Sequence, residues 1–246
     1  MTQSTPTIVL VHGAFAESAS WNGVIERLRA HGVTVVAVAN PLRSLAGDAA
    51  YVRDVVTSIG GPVVLVGHSY GGLVITEAAA DNAAVVALVY VSAFAPETGE
   101  SAFALSTSAP GSTLGDALAA YPVATGGNEF AIRQDVFAHQ FAADVAPEVA
   151  ALMASTQRPV TEAALSDALV TERPAWKTIP SWHVFGELDL NIPAAVLRAG
   201  AERAASRGTR EIAGASHAVP VSRPEIVAEV IAEAGKSALA ALSSRA

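Results

Sequence analysis

Short apolar runs alternate with longer amphipathic stretches through the first ninety residues and again after residue 180. Runs rich in Val, Ile and Leu predict strands, and apolar residues spaced three to four apart predict helices. Strands that are apolar at nearly every position are typical of a parallel sheet covered by helices on both faces. The predicted strands are 7–11, 34–39, 62–66, 85–91, 181–185 and 209–213, and the predicted helices are 18–30, 47–59, 73–80, 194–207 and a last one from residue 224.

The alternation stops between about residues 97 and 176. Gly, Ser and Pro interrupt this stretch, which predicts no strand and only helical pieces such as 129–142 and 147–155. Helices inserted between two strand–helix units predict a lid over the carboxyl edge of the sheet, where open α/β sheets bind ligands. We therefore expect a single α/β domain over 1–246 with a helical lid insertion at about 97–176.

Composition narrows the classes of partner and location. The chain is 51% apolar, only 15% charged and carries a net charge of −8, which disfavours nucleic acid and anionic membranes as partners. It has no cysteine and no metal-binding or nucleotide-binding motif, so no metal or cofactor is predicted. The polar first residues and the lack of a long apolar run predict a cytoplasmic protein. A monomer and a homodimer both remain open.

The strongest candidate for chemistry is the motif Gly-His-Ser-Tyr-Gly-Gly at 67–72, between a predicted strand and a predicted helix. A serine at such a sharp turn is held in a strained backbone conformation above the sheet. Gly67 and Gly71 are expected because neighbouring backbone passes too close for a Cβ atom. The following helix directs its positive end toward the site. Ser69 is therefore the predicted nucleophile.

A serine hydroxyl needs a base to take its proton and a third group to orient that base. In folds with this turn the order along the chain is nucleophile, acid, histidine. Only one of the six histidines, His217, lies on a loop after the last predicted strand, where its ring can reach back over the sheet. Asp189, after the preceding strand, is the predicted acid, with Glu187 in the same loop as the alternative.

Two backbone amides are expected to hold the oxyanion of the reaction. One is that of Tyr70, next to the nucleophile, and the other is that of Ala14, in the loop after the first strand. The side chains of Phe15 and Tyr70 are predicted to contact the substrate. Aromatic side chains of the lid are candidates for an apolar pocket, with packing inside the lid as the alternative for each; they are Phe103, Tyr121, Phe130, Phe137, Phe141 and Trp176.

These motifs resemble those of the α/β-hydrolase superfamily over essentially the whole chain. Val-His-Gly-Ala-Phe at 11–15, Ser-Ala-Phe-Ala-Pro-Glu at 92–97, Ala-Pro-Glu at 146–148 and Gln-Arg-Pro at 157–159 are similar to the branch of plant methyl-ester esterases and hydroxynitrile lyases. The resemblance implies the α/β-hydrolase fold with about six parallel strands and without two leading antiparallel strands. It adds Glu97 as another alternative acid, because some relatives carry the acid there.

Two positions separate the chain from the lyases of that branch. The lyases have threonine where this chain has Gly13, and lysine beside the catalytic histidine where it has Ala218. The resemblance therefore implies an esterase that acts on small, apolar carboxylic esters. The same triad leaves open a cofactor-free perhydrolase of the haloperoxidase type and lactone or carbon–carbon hydrolysis. A non-catalytic small-molecule receptor is a further alternative, whereas the elbow serine argues against dehalogenases and epoxide hydrolases.

Overall fold

The computed structural model describes residues 5–124 and 126–244. The strands are β1 (Thr7–Val11), β2 (Val35–Val38), β3 (Val63–His68), β4 (Val85–Val91), β5 (Leu118–Pro122), β6 (Asn128–Ile132), β7 (Val160–Thr161), β8 (Ser181–Gly186) and β9 (Gly208–Ile212). The helices are α1 (Asn22–Ala30), α2 (Leu45–Ile59), α3 (Gly71–Ala78), α4 (Ala102–Ser106), α5 (Leu114–Ala117), α6 (Gln134–Phe141), α7 (Pro147–Thr156), α8 (Glu162–Ser166), α9 (Ala194–Arg203), α10 (Val219–Ser222) and α11 (Pro224–Ser243). Residues 1–4, on which the predicted cytoplasmic location partly depends, lie outside the described residues.

Six strands form one parallel sheet in the order β2-β1-β3-β4-β8-β9. Successive side chains of a strand point to opposite faces. In β3, Val63 and Leu65 belong to the apolar cluster shared with α2, α3 and α9, whereas Val64 and Val66 pack with α1 and α11. Both faces are therefore covered, which explains the nearly unbroken apolar runs in β1, β3 and β4. The predicted α/β-hydrolase fold with six parallel strands is confirmed.

The prediction that no strand occurs between 97 and 176 is wrong. β5, β6 and β7 form a small antiparallel sheet there, and the helix predicted for 129–142 is β6 followed by α6. Gly126 and Gly127 allow the turn between β5 and β6, because both have positive φ angles, of 96° and 77°. Most of β5 is exposed, so it lacks the apolar alternation that marks a strand. We call residues 97–176 the cap.

The end of α9 also differs from the prediction, which extended this helix to residue 207. The helix ends at Arg203, because Ala205 has a φ of 45°, outside the right-handed helical region. The chain then turns into β9, and the N–H of Arg207 donates to the carbonyl of Ser181 at 2.8 Å. Among the described helices, none is long and apolar enough to cross a membrane.

His183 in β8 is a buried titratable group that forms no ion pair with the residues that the structure describes. Its ring stacks on Tyr90 with centroids 4.7 Å apart, and within the described chain neither ring nitrogen has a hydrogen-bond partner. Burial lowers the pKa of His183 to about 3. The neutral ring is therefore part of the folded core over the whole ordinary pH range.

Because the pKa of His183 is lowered, we expect the protein to lose stability in acid. The unfolded chain takes up the proton below about pH 6.5, whereas the folded chain does not, so the free energy of unfolding falls as pH falls from there toward 3. Between about pH 7.5 and 5 the loss is about 2 kcal/mol. His183→Phe, which keeps a stacked ring, should shrink the difference in unfolding free energy between these pH values by that amount. Urea unfolding at both pH values measures it, and an unchanged difference would contradict the prediction.

Candidate active site

Ser69 lies at the sharp turn between β3 and α3 and has a φ of 55°, which is strained for a residue with a side chain. A Cβ atom on Gly67 would lie 2.5 Å from the carbonyl oxygen of Gly71, and one on Gly71 would lie 2.5 Å from that of Val11. The expected close approach of backbone at both glycines is confirmed. The turn therefore depends on two positions without side chains, and it presents Ser69 above the sheet.

His217 and Asp189 form a buried pair on two loops beyond β9 and β8. Nδ1 of His217 lies 2.6 Å from Oδ2 of Asp189, and the other carboxylate oxygen accepts the N–H groups of Asn191 and Ile192, both at 2.8 Å. These contacts fix the carboxylate in one orientation. Ser69 and His217 line the same cavity, although no hydrogen bond joins their side chains in the described structure. Such bonds are often long without substrate and shorten when it binds.

The two alternative acids lie elsewhere. Glu187 is exposed, and its carboxylate accepts the N–H of Gly214 at 3.1 Å. Glu97 forms an ion pair with Lys177 at 2.7 Å, a hydrogen bond that lowers the pKa of its carboxyl group. Asp189 is the carboxylate that contacts His217 in the described chain. The geometry therefore agrees with the sequence-based choice of acid, whose catalytic role stays a prediction.

The two predicted oxyanion donors lie in adjacent turns. In the described part of the chain the N–H groups of Ala14 and Tyr70 have no hydrogen-bond partner. The loop of Ala14 passes directly beside the nucleophile turn, because a Cβ atom on Gly13 would lie 2.6 Å from that of Ser69 and 3.2 Å from the nitrogen of Tyr70. Glycine at position 13 is what permits this approach. Both residues line the cavity with their amides unpaired in the described chain, and their role as oxyanion donors stays a prediction.

Tyr70 is held from below by Asp48. Its hydroxyl donates to the Asp48 carboxylate at 2.9 Å, and the other carboxylate oxygen accepts the N–H of Arg43 at 3.1 Å. Burial raises the pKa of Tyr70 and that of Asp48. Because the hydroxyl of Tyr70 is bonded to Asp48, the ring is the part of this side chain that lines the cavity. The contact also fixes the residue whose backbone N–H is a predicted oxyanion donor.

Two further histidines support the site from beneath. Burial lowers the pKa of His12 to about 4, and its Nδ1 donates to the carbonyl of Gly13 at 2.9 Å. Burial, and to a lesser extent the nearby His217, lower the pKa of His68 well below its usual range. Nε2 of His68 donates to the carbonyl oxygen of His217 at 3.1 Å. Both rings are therefore neutral supports of the loops that carry the predicted site residues.

A cavity of about 370 Å³ opens above these residues, within the range of small-molecule sites. Ser69 and His217 lie in its wall with the predicted contacts Phe15 and Tyr70. Much of the opposite wall comes from one cap segment, residues 102–118. Its Gly-, Ser- and Pro-rich composition is a signal of a loop at a site, and this segment was not among the predicted site residues. Among the described residues, no group of three or more His, Cys, Asp or Glu side chains could hold a metal ion.

Of the six cap aromatics, Phe103 lines the cavity, and the alternative of packing inside the cap holds for Phe137, Phe141 and Trp176. Phe137 and Phe141 stack on each other at 5.1 Å in the core, and Trp176 donates to the carbonyl of Pro96 at 2.7 Å. Tyr121 is exposed on β5, and Phe130 is half-buried on β6. Phe94, which follows β4, also lines the cavity, and although it lies in the motif at 92–97 it was not predicted to be a pocket residue.

Comparisons with known proteins agree with this fold. The model of the alpha/beta hydrolase family matches residues 8–230. A carbendazim hydrolyzing esterase of Nocardioides sp. (strain SG-4G) is 38% identical over 39% of this chain, a stretch that spans only 46% of that relative. Polyneuridine aldehyde esterase superposes with a TM-score of 0.79 at 21% identity, over 94% of this chain and 99% of that one. A pyrethroid hydrolase from Sphingobium faniae JZ-2 has a TM-score of 0.74 at 22% identity, over 95% and 98%.

The family match covers the strands of the parallel sheet, the turn at Ser69 and both loops that carry Asp189 and His217. The two solved structures are too distant in sequence to show more than the fold. The sequence-based resemblance is nonetheless confirmed at the level of the family. This chain belongs to the alpha/beta hydrolase family.

Proposed function

We propose that this chain is a serine hydrolase that cleaves small, apolar carboxylic esters through an acyl-enzyme intermediate. The observation that carries the proposal is that Ser69 and His217 line one cavity with Ala14 and Tyr70, whose backbone amides are unpaired in the described chain, and that Asp189 bonds to His217. Family membership supports hydrolase chemistry. The names of the esterase and hydrolase relatives support ester bonds as the target.

The reaction proceeds in two steps. His217 takes the proton from the hydroxyl of Ser69 as its oxygen attacks the ester carbonyl carbon, and the new oxyanion accepts the N–H groups of Ala14 and Tyr70. His217 then protonates the departing alkoxide, which leaves the acyl group on Ser69. A water molecule, deprotonated by His217, attacks the acyl carbonyl and releases the acid. Asp189 holds the imidazole in the required tautomer and stabilises it when it is protonated.

The walls of the cavity support a small, apolar substrate. Phe15, Phe94 and Ile192 line it near Ser69, and Leu114 and Leu165 of the cap line it as well. Its volume lies near the lower end of the range for small-molecule sites. The residue after His217 is Ala218, which is buried and carries no cation to hold a cyanide leaving group. This favours hydrolysis over the lyase reaction of the related branch.

A panel of p-nitrophenyl esters from acetate to decanoate tests the proposal. We expect the highest kcat/KM for the short acyl chains, with a decline as the chain outgrows the cavity. The same enzyme with acetate and hydrogen peroxide should produce little peracetate relative to its ester hydrolysis. Peracetate as the main product would favour the perhydrolase. Tight ligand binding in thermal-shift assays without turnover of any ester would favour the receptor.

A further inference from the structure

One short segment of the cap contacts both the loop that carries Asp189 and the loop that carries His217. This segment, residues 140–144, comprises the end of α6 and the start of the loop that follows it. We propose that segment 140–144 positions His217 and Asp189 for proton transfer, so that the cap is a structural part of the catalytic machinery as well as a wall of the pocket. The proposal depends on the proposed function, because it assigns a role to contacts around the same base and acid.

The contact with the histidine loop is made by Asp144. Its Oδ1 accepts both the backbone N–H of Ser216, at 3.1 Å, and the hydroxyl of the same serine. Its Oδ2 pairs with Arg223 at 3.0 Å, which balances the charge of a carboxylate only 13% exposed. Ser216 directly precedes His217. Two directional bonds from the cap therefore fix the backbone at the base.

Phe141 contacts the imidazole ring of His217. Its aromatic ring lies edge-on to that of His217, with centroids 4.9 Å apart and planes at 80°, and makes a second such contact with His68 at 6.0 Å. Phe141 is only 1% exposed. Edge-to-face packing restricts how the imidazole can tilt. The ring of the base is therefore confined by the same cap segment that holds its backbone.

Gln140 makes the contact with the acid loop. Its amide nitrogen donates to the carbonyl of Leu190 at 3.0 Å and to Oδ1 of Asn191 at 2.8 Å, while its amide oxygen accepts the hydroxyl of Thr113 at 2.8 Å. Asn191 in turn donates its backbone N–H to Asp189. Gln140 is buried, with 4% of its surface exposed. Its side chain is thus linked to Asp189 through a single residue, Asn191.

The chemistry of these contacts favours positioning over simple packing. Burying an amide or a carboxylate carries a desolvation cost that an apolar side chain of similar size would avoid. What the polar groups add is direction, since hydrogen bonds fix the backbone of both loops relative to the cap. A displacement of about 1 Å at catalytic groups can cost about 10²-fold in rate. Precise placement of His217 and Asp189 is the benefit that such contacts provide.

Asp144→Ala tests the proposal by its effect on the reactivity of Ser69. A fluorophosphonate probe forms an Oγ–P bond to an activated serine and releases fluoride, while the base takes the hydroxyl proton; the reaction needs no ester turnover. We expect complete labelling of Asp144→Ala at a rate lowered about 10- to 100-fold. For p-nitrophenyl acetate we expect a similar fall in kcat with little change in KM. Asp144→Asn keeps an oxygen acceptor for Ser216 and should recover most of both rates.

Asp135→Ala is the matched control, because Asp135 is an exposed carboxylate on α6, the helix that precedes Asp144, and among the described residues it pairs with Arg133 alone, at 3.7 Å. It should label and turn over like the wild type. Gln140→Leu should slow labelling as Asp144→Ala does, through the acid. Wild-type labelling rates in Asp144→Ala and Gln140→Leu would overturn the proposal. A lowered labelled fraction at the wild-type rate would also overturn it, since that result indicates partial unfolding.

The experiment separates this proposal from the proposed function. If the wild type labels at Ser69 but hydrolyses no ester of the panel, the esterase proposal fails, while the labelling rates of the variants still test the positioning role. If Asp144→Asn labels as slowly as Asp144→Ala, hydrogen bonding to Ser216 is not the cause and the positioning proposal fails. Slow, complete labelling of Asp144→Ala that Asp144→Asn restores supports it.

Discussion

Ser69→Ala is expected to lower kcat for a short p-nitrophenyl ester by about 10⁴- to 10⁶-fold, while KM changes little. The substitution removes the oxygen that forms the acyl-enzyme and leaves the rest of the cavity in place. Alanine at this position keeps the Cβ atom that packs beside Gly13, so the turn should remain folded. What remains after the substitution is the effect of binding and of the two backbone amides. Steady-state kinetics measure the loss, and electrospray mass spectrometry checks that the fluorophosphonate no longer adds.

Ser181→Ala is a suitable control for this prediction. Ser181 is also buried, and its hydroxyl has no hydrogen-bond partner in the described structure, but it lies at the opposite end of a strand of the sheet. The kcat of Ser181→Ala should equal that of the wild type. A Ser69→Ala enzyme that keeps more than about a tenth of the wild-type kcat would exclude Ser69 as the nucleophile, since bound water alone does not replace a covalent step.

The sequence predicted the sheet and the nucleophile turn well because both are specified locally. Buried parallel strands need an unbroken apolar run, and the turn needs glycines at fixed offsets from the serine. A Cβ atom on Gly67 or Gly71 would lie 2.5 Å from a backbone oxygen, so the motif records a steric requirement that can be recognised without a structure. The positions of Asp189 and His217 follow from the order of the strands, because both side chains leave the carboxyl edge of the sheet.

The cap was harder to predict because its residues meet different requirements. β5 is mostly exposed and short, so no apolar periodicity distinguishes it from a loop. Phe137 and Phe141 follow the same helical spacing whether they face a pocket or a core. The contact between Asp144 and Ser216 joins residues 72 positions apart and has no local signature. Such contacts depend on how the cap packs on the sheet, which a single sequence does not specify.

Asp189→Asn is expected to lower kcat by about 10⁴-fold while the fold is preserved, which is the second large effect that we expect. The reason lies in the other contacts of this carboxylate. Its Oδ1 accepts the N–H groups of Asn191 and Ile192, so the single oxygen of an asparagine must occupy that position. The amide NH₂ then faces Nδ1 of His217, which must become the acceptor. The proton moves to Nε2, and the imidazole can no longer take the proton of Ser69.

Glu187→Gln and Glu97→Gln are the matched controls, because each neutralises an alternative acid by the same one-atom change. Both carboxylates are at least partly exposed and are engaged away from the histidine, with Gly214 and Lys177 respectively. We expect each control to keep kcat within about twofold of the wild type, since surface pairs of this kind contribute little. If Glu187→Gln or Glu97→Gln lost activity as Asp189→Asn is expected to do, that glutamate would be the acid. Thermal unfolding of all three variants checks that each one is folded, so that a difference in kcat reflects the site.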